Sequence, residues 1–122
     1  MLSPTRRSVS AVIAVDAALS AAVDLADEAP VGISMSAGWN AAAITFQIST
    51  DGVTFTDLFD SGGTEVAISS ANVAAGRYIS FTALLSNSFR GSRYIKIRSG
   101  VTALPVDQTA ARTLGVQLRQ LA

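Results

Sequence analysis

Four acidic residues, Asp51, Asp57, Asp60 and Glu65, fall close together in the chain. Clustered carboxylate oxygens on loops are what a calcium ion requires. Their spacing follows no EF-hand pattern, and Asp is equally a preferred turn residue, because its side chain accepts hydrogen bonds from nearby backbone N–H groups. Paired carboxylates also serve glycoside hydrolysis, but no two acids here stand in a recognisable catalytic context. The sequence contains no His and no Cys. That removes the commonest general base, the commonest metal ligand, thiolate metal sites and disulfides. Gly62-Gly63 and Gly91 lack the strand–helix setting of a phosphate-binding loop. The expectation is a protein without catalytic residues, resident metal or cofactor, and not an enzyme.

The remaining chemistry is that of contact. Trp39 is the single tryptophan. It could stack on a sugar ring, as could Tyr78 and Phe89, or it could pack in a core. Arg90, Arg93, Lys96 and Arg98 form the densest basic region. Lys96 and Arg98 alternate with Ile95 and Ile97, so they share an outward face with Tyr94. Such a face is either ordinary solvated sheet or a grip for a partner protein, where Arg and Tyr are enriched. Arg6-Arg7 before SVSAVIAV resembles the start of an export signal, but Asp16 interrupts the apolar run. It is read instead as a basic lead-in to a first strand. Arg6, Arg7, Tyr94, Lys96 and Arg98 are therefore the candidate protein contacts, with residues 1–7 as an arm and 8–122 as one domain.

Composition bounds these readings. A chain of 122 residues makes one domain, and a chain of this size hides roughly two-thirds of its unfolded surface without needing disulfides. Nine basic residues balance nine acidic ones, with no block of either sign. Nucleic-acid binding needs a concentrated basic face and is not expected. No stretch approaches the roughly 18–20 apolar residues of a spanning helix, so no membrane partner is expected. Apolar residues make up 49% of the chain and charged ones only 15%. Lys96 is the one lysine. A surface this weakly charged suits packing against copies of itself or a partner; an Ala-rich composition gives the same numbers.

The elements that must position these residues are strands. Val9, Ala11, Ile13 and Val15 share one face. Val23-Asp24-Leu25 is a short strand, and Pro30, lacking a donor, belongs at a strand start or edge. Val31, Ile33 and Met35 alternate with small residues, as do Ile44, Phe46 and Ile48 with polar ones. Asp51-Gly52 then marks a hairpin turn, since Gly accepts positive φ without strain, with Val53 and Phe55 sharing a face beyond it. Further strands run through Val66 and Ile68, through Ile79, Phe81 and Ala83, through Tyr94–Arg98, and through Leu114, Val116 and Leu118. No amphipathic helix is expected. Eight or nine short strands at roughly ten-residue spacing, with turns between, predict an all-β antiparallel sandwich of jelly-roll type.

In order, Val23-Asp24-Leu25, Pro30–Ile33, Trp39, Phe46–Phe55 and Arg93–Ile97 resemble the discoidin-like, galactose-binding-type jelly roll. That resemblance implies ligand binding by loops at one end of the sandwich. The loops Ala17–Ala22, Ala71–Gly76 and Gly100–Thr109 carry none of the aromatic residues such spikes use. A second resemblance spans nearly the whole chain. The Gly-Ile-x-Met-x-x-x-Trp strand, the Phe-Gln-x-Ser-x-Asp-Gly hairpin and Ala110–Leu114 are similar to small structural proteins of tailed bacteriophages and gene-transfer particles. It implies a virion component, a capsid cement or decoration protein held by the major capsid protein or other virion proteins and assembled as a homo-oligomer, a trimer by preference. The alternative is a tail- or baseplate-associated carbohydrate-binding module with Trp39, Tyr78 or Phe89 as its platform.

Overall fold

Period-two alternation of apolar side chains drives the longest strands of the computed structural model, which describes residues 6–120. Ten strands form: β1 (Arg6–Ile13), β2 (Val23–Asp24), β3 (Glu28–Ser34), β4 (Ile44–Ser49), β5 (Thr56–Asp57), β6 (Ala67–Ile68), β7 (Tyr78–Ser80), β8 (Tyr94–Val101), β9 (Leu104–Pro105) and β10 (Arg112–Gln120). One five-residue helix, α1 (Ala83–Asn87), follows β7. No helix among the described residues is long and apolar enough to cross a membrane.

The strands make two antiparallel sheets. The first, sheet A, has the order β1-β10-β3-β7, and the second, sheet B, has the order β2-β8-β4-β5, with β6 beside β4 and β9 beside β8. The pairing has a simple logic. β1 pairs with β10, β2 with β8, β3 with β7 and β4 with β5. The chain is thus one long antiparallel ribbon, closed at β4–β5 and wrapped so that successive pairs alternate between sheets. That is the jelly roll expected from the strand spacing.

The inward faces fill the space between the sheets. Ile13, Ile33, Ile44, Phe46, Ile95 and Leu114 are wholly buried. Phe46 meets Phe89 edge-on, with ring centroids 4.9 Å apart, and Phe81 stacks beside Phe89. Pro30 sits at the register shift where Leu118 pairs with Pro30 and Gln117 with Gly32. A proline can occupy such a bulge because no ladder donor is required there.

Several local expectations change. β1 starts at Arg6, so Arg6 and Arg7 are strand residues opposite Arg119 and Leu118 and not part of an arm; residues 1–5 of the expected arm lie outside the described residues. Asp51-Gly52 does not close a two-residue hairpin. Gly52 has φ +80, but pairing resumes only at Ile48 opposite Thr56. Asp51 instead folds the longer connection over itself, its carboxylate accepting from the N–H groups of Val53 and Thr54. Val53 is consequently left in solvent and not on the inner face. Ala83, expected in a strand, enters α1 because the Thr82 hydroxyl caps the helix by accepting from Leu85 N–H.

One end of the sandwich is tied by a buried amide. The Gln108 side chain is wholly buried. Its Oε1 accepts from Asn40 N–H at 2.7 Å and from Arg112 Nε at 3.1 Å. Its Nε2 donates to Asn40 O at 3.1 Å and to Ser99 Oγ at 2.8 Å. Gln108→Leu keeps the volume but strands several of these partners. Each buried group left unpaired costs about 1–3 kcal/mol, so chemical denaturation should show a loss of at least about 2 kcal/mol. A loss below half that would mean water replaces the amide.

Candidate functional site

Three surfaces stand out, and the exposed sequence-derived candidates fall on two of them. On the outer face of sheet B, Tyr94 and Lys96 of β8 are half-buried. Lys96 Nζ lies 4.4 Å from the centre of the Phe55 ring. Tyr94 rests against Gly52 and takes the Arg93 guanidinium at 5.3 Å from its ring centre. Arg93 in turn pairs with Asp24 at 3.1 Å.

Arg98 projects from the same face but is not available to a partner. Its side chain is only 8% exposed, because β5 and the residues before β6 fold over it. It donates to the Asp57 and Glu65 carboxylates and to Thr102 Oγ1, the last at 2.7 Å. Thr102 is tied to Glu65 by its own hydroxyl and N–H. Two of the four clustered acids therefore neutralise an arginine. A third, Asp60, caps the Gly62 and Thr64 N–H groups of its own loop, and Asp51 does the same for Val53 and Thr54. Among the described residues no three acids converge into a metal cage.

Of the stacking candidates, Phe89 is core, sealed by Phe46 and Phe81, and cannot meet a ligand. Trp39 packs partly against the core, its Nε1 donating to Ala42 O at 3.4 Å. Tyr78 is the exposed one, at 51%. Its phenol lies across Gly32 so closely that a Cβ there would sit 1.9 Å from the hydroxyl oxygen; the glycine is what lets the ring lie along the sheet. With Arg6, Val31, Gln117, Leu118 and Arg119 it lines a shallow cleft of about 230 Å³. Arg6 and Tyr78, distant in sequence and assigned to different roles, thus meet on the outer face of sheet A. Arg7 points the other way, into the end of the sandwich, where it donates to Glu28 at 2.6 Å and to Asp24 O.

The rest of that face is small and uncharged. Ser8 and Ser10 of β1, Thr113, Gly115 and Gln117 of β10, and Ser34 of β3 lie side by side in register. Val12, opposite Thr113, is its exposed apolar residue, and charge is confined to Arg6 and Arg119 at one rim; Arg112 turns inward to Gln108 and Asn40. The third surface is a flank. Between the β7 edge of sheet A and β6 of sheet B runs a groove of about 890 Å³, with Val66, Ile68, Leu84 and Leu85 among its apolar lining and Ser80 and Thr82 among its hydroxyls. Sequence reasoning did not find it. Its walls come from segments that alternation alone cannot place beside one another. Leu84, at 83% exposed, is its one visible trace, an apolar residue on the wrong side of a short helix.

Comparison with protein-family models, curated proteins and solved structures finds no match to this chain.

The Arg98 cluster has a pH signature. Hydrogen bonding from Arg98 holds the Asp57 carboxyl below its ordinary 3.8, against the opposing effect of burial. Arg93 does the same for Asp24, and the Val53 and Thr54 N–H groups for Asp51. A carboxylate whose folded pKa is depressed stabilises the fold fully above its unfolded pKa, and that stabilisation is lost as pH falls through the folded one. Denaturation midpoints should therefore hold from neutral pH down to about 4 and then fall, and Asp57→Asn should make that fall shallower. Arg98→Met leaves the Asp57 and Glu65 carboxylates without the guanidinium they share. It should cost about 2–3 kcal/mol at neutral pH, less than for a sealed pair because Asp57 is partly solvated. An unchanged midpoint in Arg98→Met would mean the cluster is a surface ornament.

Proposed function

We propose that this protein is a structural component of a phage-like particle, working by adhesion and not by catalysis. In this reading it is a capsid cement or decoration protein. It sits on the assembled head as a homo-oligomer, a trimer by preference, and contacts the major capsid protein or other virion proteins. The observation that carries the reading is the outer face of sheet A. It is lined largely by small or uncharged side chains, Ser8, Ser10, Ser34, Thr113 and Gln117 with an exposed Val12, and its charge is confined to Arg6 and Arg119 at one rim. Such a face has little desolvation cost to set against burial, since burying unpaired charge is the expensive step in association. The resemblance of the strand and hairpin motifs to small virion proteins supports the same reading. Arg6 on this face, and Tyr94 and Lys96 on the opposite one, are its candidate contacts; Arg7 and Arg98 are engaged internally.

A second reading is favoured by Tyr78. A flat, exposed phenol beside Arg6, Gln117 and Arg119 is a platform on which a sugar ring can stack while the polar groups hold its hydroxyls or a carboxylate. This would be a tail- or baseplate-associated receptor-binding module.

Two measurements separate the readings. Light scattering at micromolar concentration should give a mass about three times the 12.6 kDa chain, and the protein should co-sediment with shells assembled from the major capsid protein. Replacing Ser10 or Thr113 by Glu should weaken shell binding at least about tenfold, because a charge would enter the buried face. If shells are ignored while a glycan array gives signals that Tyr78→Ala abolishes, the receptor-binding reading replaces the structural one.

A further inference from the structure

Sheet A ends in two strands whose outer edges are open, and their hydrogen-bonding patterns can be read. In β1, Val12 O accepts from Ala21 N–H in the β1–β2 connection, so Val12 directs its backbone away from β10. In an antiparallel ladder this direction alternates with residue number. Ser10, Ser8 and Arg6 therefore also direct N–H and C=O outward, and among the described residues nothing pairs with them. In β7, Arg77 O accepts from Met35 N–H and Phe81 N–H donates to Val31 O. The same alternation turns the N–H and C=O of Tyr78 and Ser80 outward, again without a described partner. All of these residues carry their side chains on the outer face, where Arg6, Ser8, Ser10, Tyr78 and Ser80 are exposed.

The two edges match. From β1 through β10 and β3 to β7 each neighbour is antiparallel, so β1 and β7 run in opposite directions. A second copy placed beside the first in the same orientation brings its β1 antiparallel to β7, with both outer faces on the same side. Tyr78 and Ser80 can then exchange backbone hydrogen bonds with Ser10 and Ser8 of the next copy, or with Ser8 and Arg6. In either register Tyr78 lies opposite a serine.

The flanks beneath these edges match as well. Beside β7 lies the groove with its apolar Val66, Ile68, Leu84 and Leu85. Beside β1 lies the Ala14–Ala22 connection to β2, whose exposed Val15, Ala21 and Ala22 are small and apolar. It is pinned by Asp16 N–H donating to Gln108 O and by Gln108 N–H donating to Ala17 O. One flank is concave, and the opposite one carries a fixed small-residue loop. Pairing β1 with another β1 would set loop against loop and leave both grooves empty.

We infer that a second copy of this chain adds its β1 strand to the free edge of β7 and seats its β1–β2 connection in the adjoining groove, so that sheet A runs on from copy to copy. This rests on the reading of the protein as a self-associating structural component. A contact between two different edges is head-to-tail, and it closes into a ring or grows as a filament according to the rotation between copies.

Proline tests it without touching the monomer's ladder. The N–H groups of Ser8 and Ser80 face outward, so Ser8→Pro and Ser80→Pro each remove an edge donor, as edge strands tolerate, and Ser8→Pro also loses the exposed hydroxyl that accepts from Gln117 Nε2 at 2.9 Å. The wild-type chain should scatter as an oligomer. Each variant alone should be monomeric, with a thermal midpoint within a few degrees of wild type. Mixed in equal amounts, the two should form a dimer and stop there, because Ser8→Pro retains a working β7 edge and Ser80→Pro a working β1 edge. Leu84→Glu, at an exposed groove position, should independently weaken association at least about tenfold by placing a charge against the incoming loop. Oligomers that survive both proline substitutions would overturn the inference. So would an oligomer lost in Ser8→Pro but kept in Ser80→Pro, which would mean β1 pairs with β1, or a mixture that stays monomeric. A wild-type monomer that still co-sediments with shells would overturn this inference and leave the structural reading standing.

Discussion

The wholly buried Gln108 amide is the interaction on which the arrangement of one end of the sandwich depends. A primary amide has two acceptor sites and two donors, and here all four are used, with Asn40, Arg112 and Ser99 as partners. The backbone of the same residue exchanges hydrogen bonds with Asp16 and Ala17. One residue therefore joins the β1–β2 connection, the β3–β4 connection, β8 and β10. Asp16 adopts φ 62, a left-handed conformation that costs a non-glycine residue energy unless its surroundings hold it; its bond to Gln108 is part of that hold. In a jelly roll the connections cross from sheet to sheet over the open ends, where no ladder supplies hydrogen bonds. A side chain that satisfies several of them at once does there what strand pairing does elsewhere.

Charge is distributed to different ends on the two sheets. Sheet B carries an enclosed Arg98 with Asp57 and Glu65, an exposed Arg93–Asp24 pair, and Lys96 over the Phe55 ring. An enclosed ion pair adds little over an apolar core of the same shape, yet it is costly to break on one side. Its effect is on specificity: the Asp57 and Glu65 carboxylates have one place to go, and that fixes β5 and the approach to β6 over β8. Sheet A follows the opposite plan. Its outer face carries charge only at the Arg6–Arg119 rim, and Gly32 is kept bare so that Tyr78 can lie flat. A sheet face open to water needs no such economy of charge, and the contrast between the two faces is the physical content of the adhesive reading.

Much of this was legible from alternation alone. Ile95 and Ile97, then Leu114, Val116 and Leu118, point inward where period two puts them, and the strand spacing gives the jelly roll. Alternation fixes which face a side chain takes but not what later covers it. Arg98 does leave the inner face, as its neighbours Ile95 and Ile97 imply; that Asp57 and Glu65 bury it depends on pairing across more than thirty residues of sequence. Phe89 sits in a Ser/Asn-rich stretch with no period of its own, so its place at the centre of the aromatic cluster left no local mark. α1 is too short to show a helical period, and Gln108 is one of three successive polar residues, Asp107 to Thr109, in a loop. What the sequence concealed are the long-range partners.

The edges of the sheets bring these threads together. A free strand edge offers the same repeating donors and acceptors to any other strand, so folds protect their edges by keeping them short, charged or bent. The edge strands other than β1, namely β7 of sheet A and β2, β5, β6 and β9 of sheet B, are two or three residues long. β1 is eight residues long, with no proline, lysine or bulge among them, and its one inward-pointing charge, Arg7, is consumed in closing the sandwich against Glu28. Hydrogen bonds alone could not tell one partner edge from another, because a backbone carries no sequence. Discrimination has to come from what flanks the edge. On the β7 side that is a groove with apolar walls, and on the β1 side a loop of small residues held rigid through Gln108. An unprotected edge is a hazard when its flanks are featureless. It becomes selective when one flank is hollow and the other is shaped to enter it, and in the contact proposed above the buried amide that holds the loop takes part as much as the strand itself.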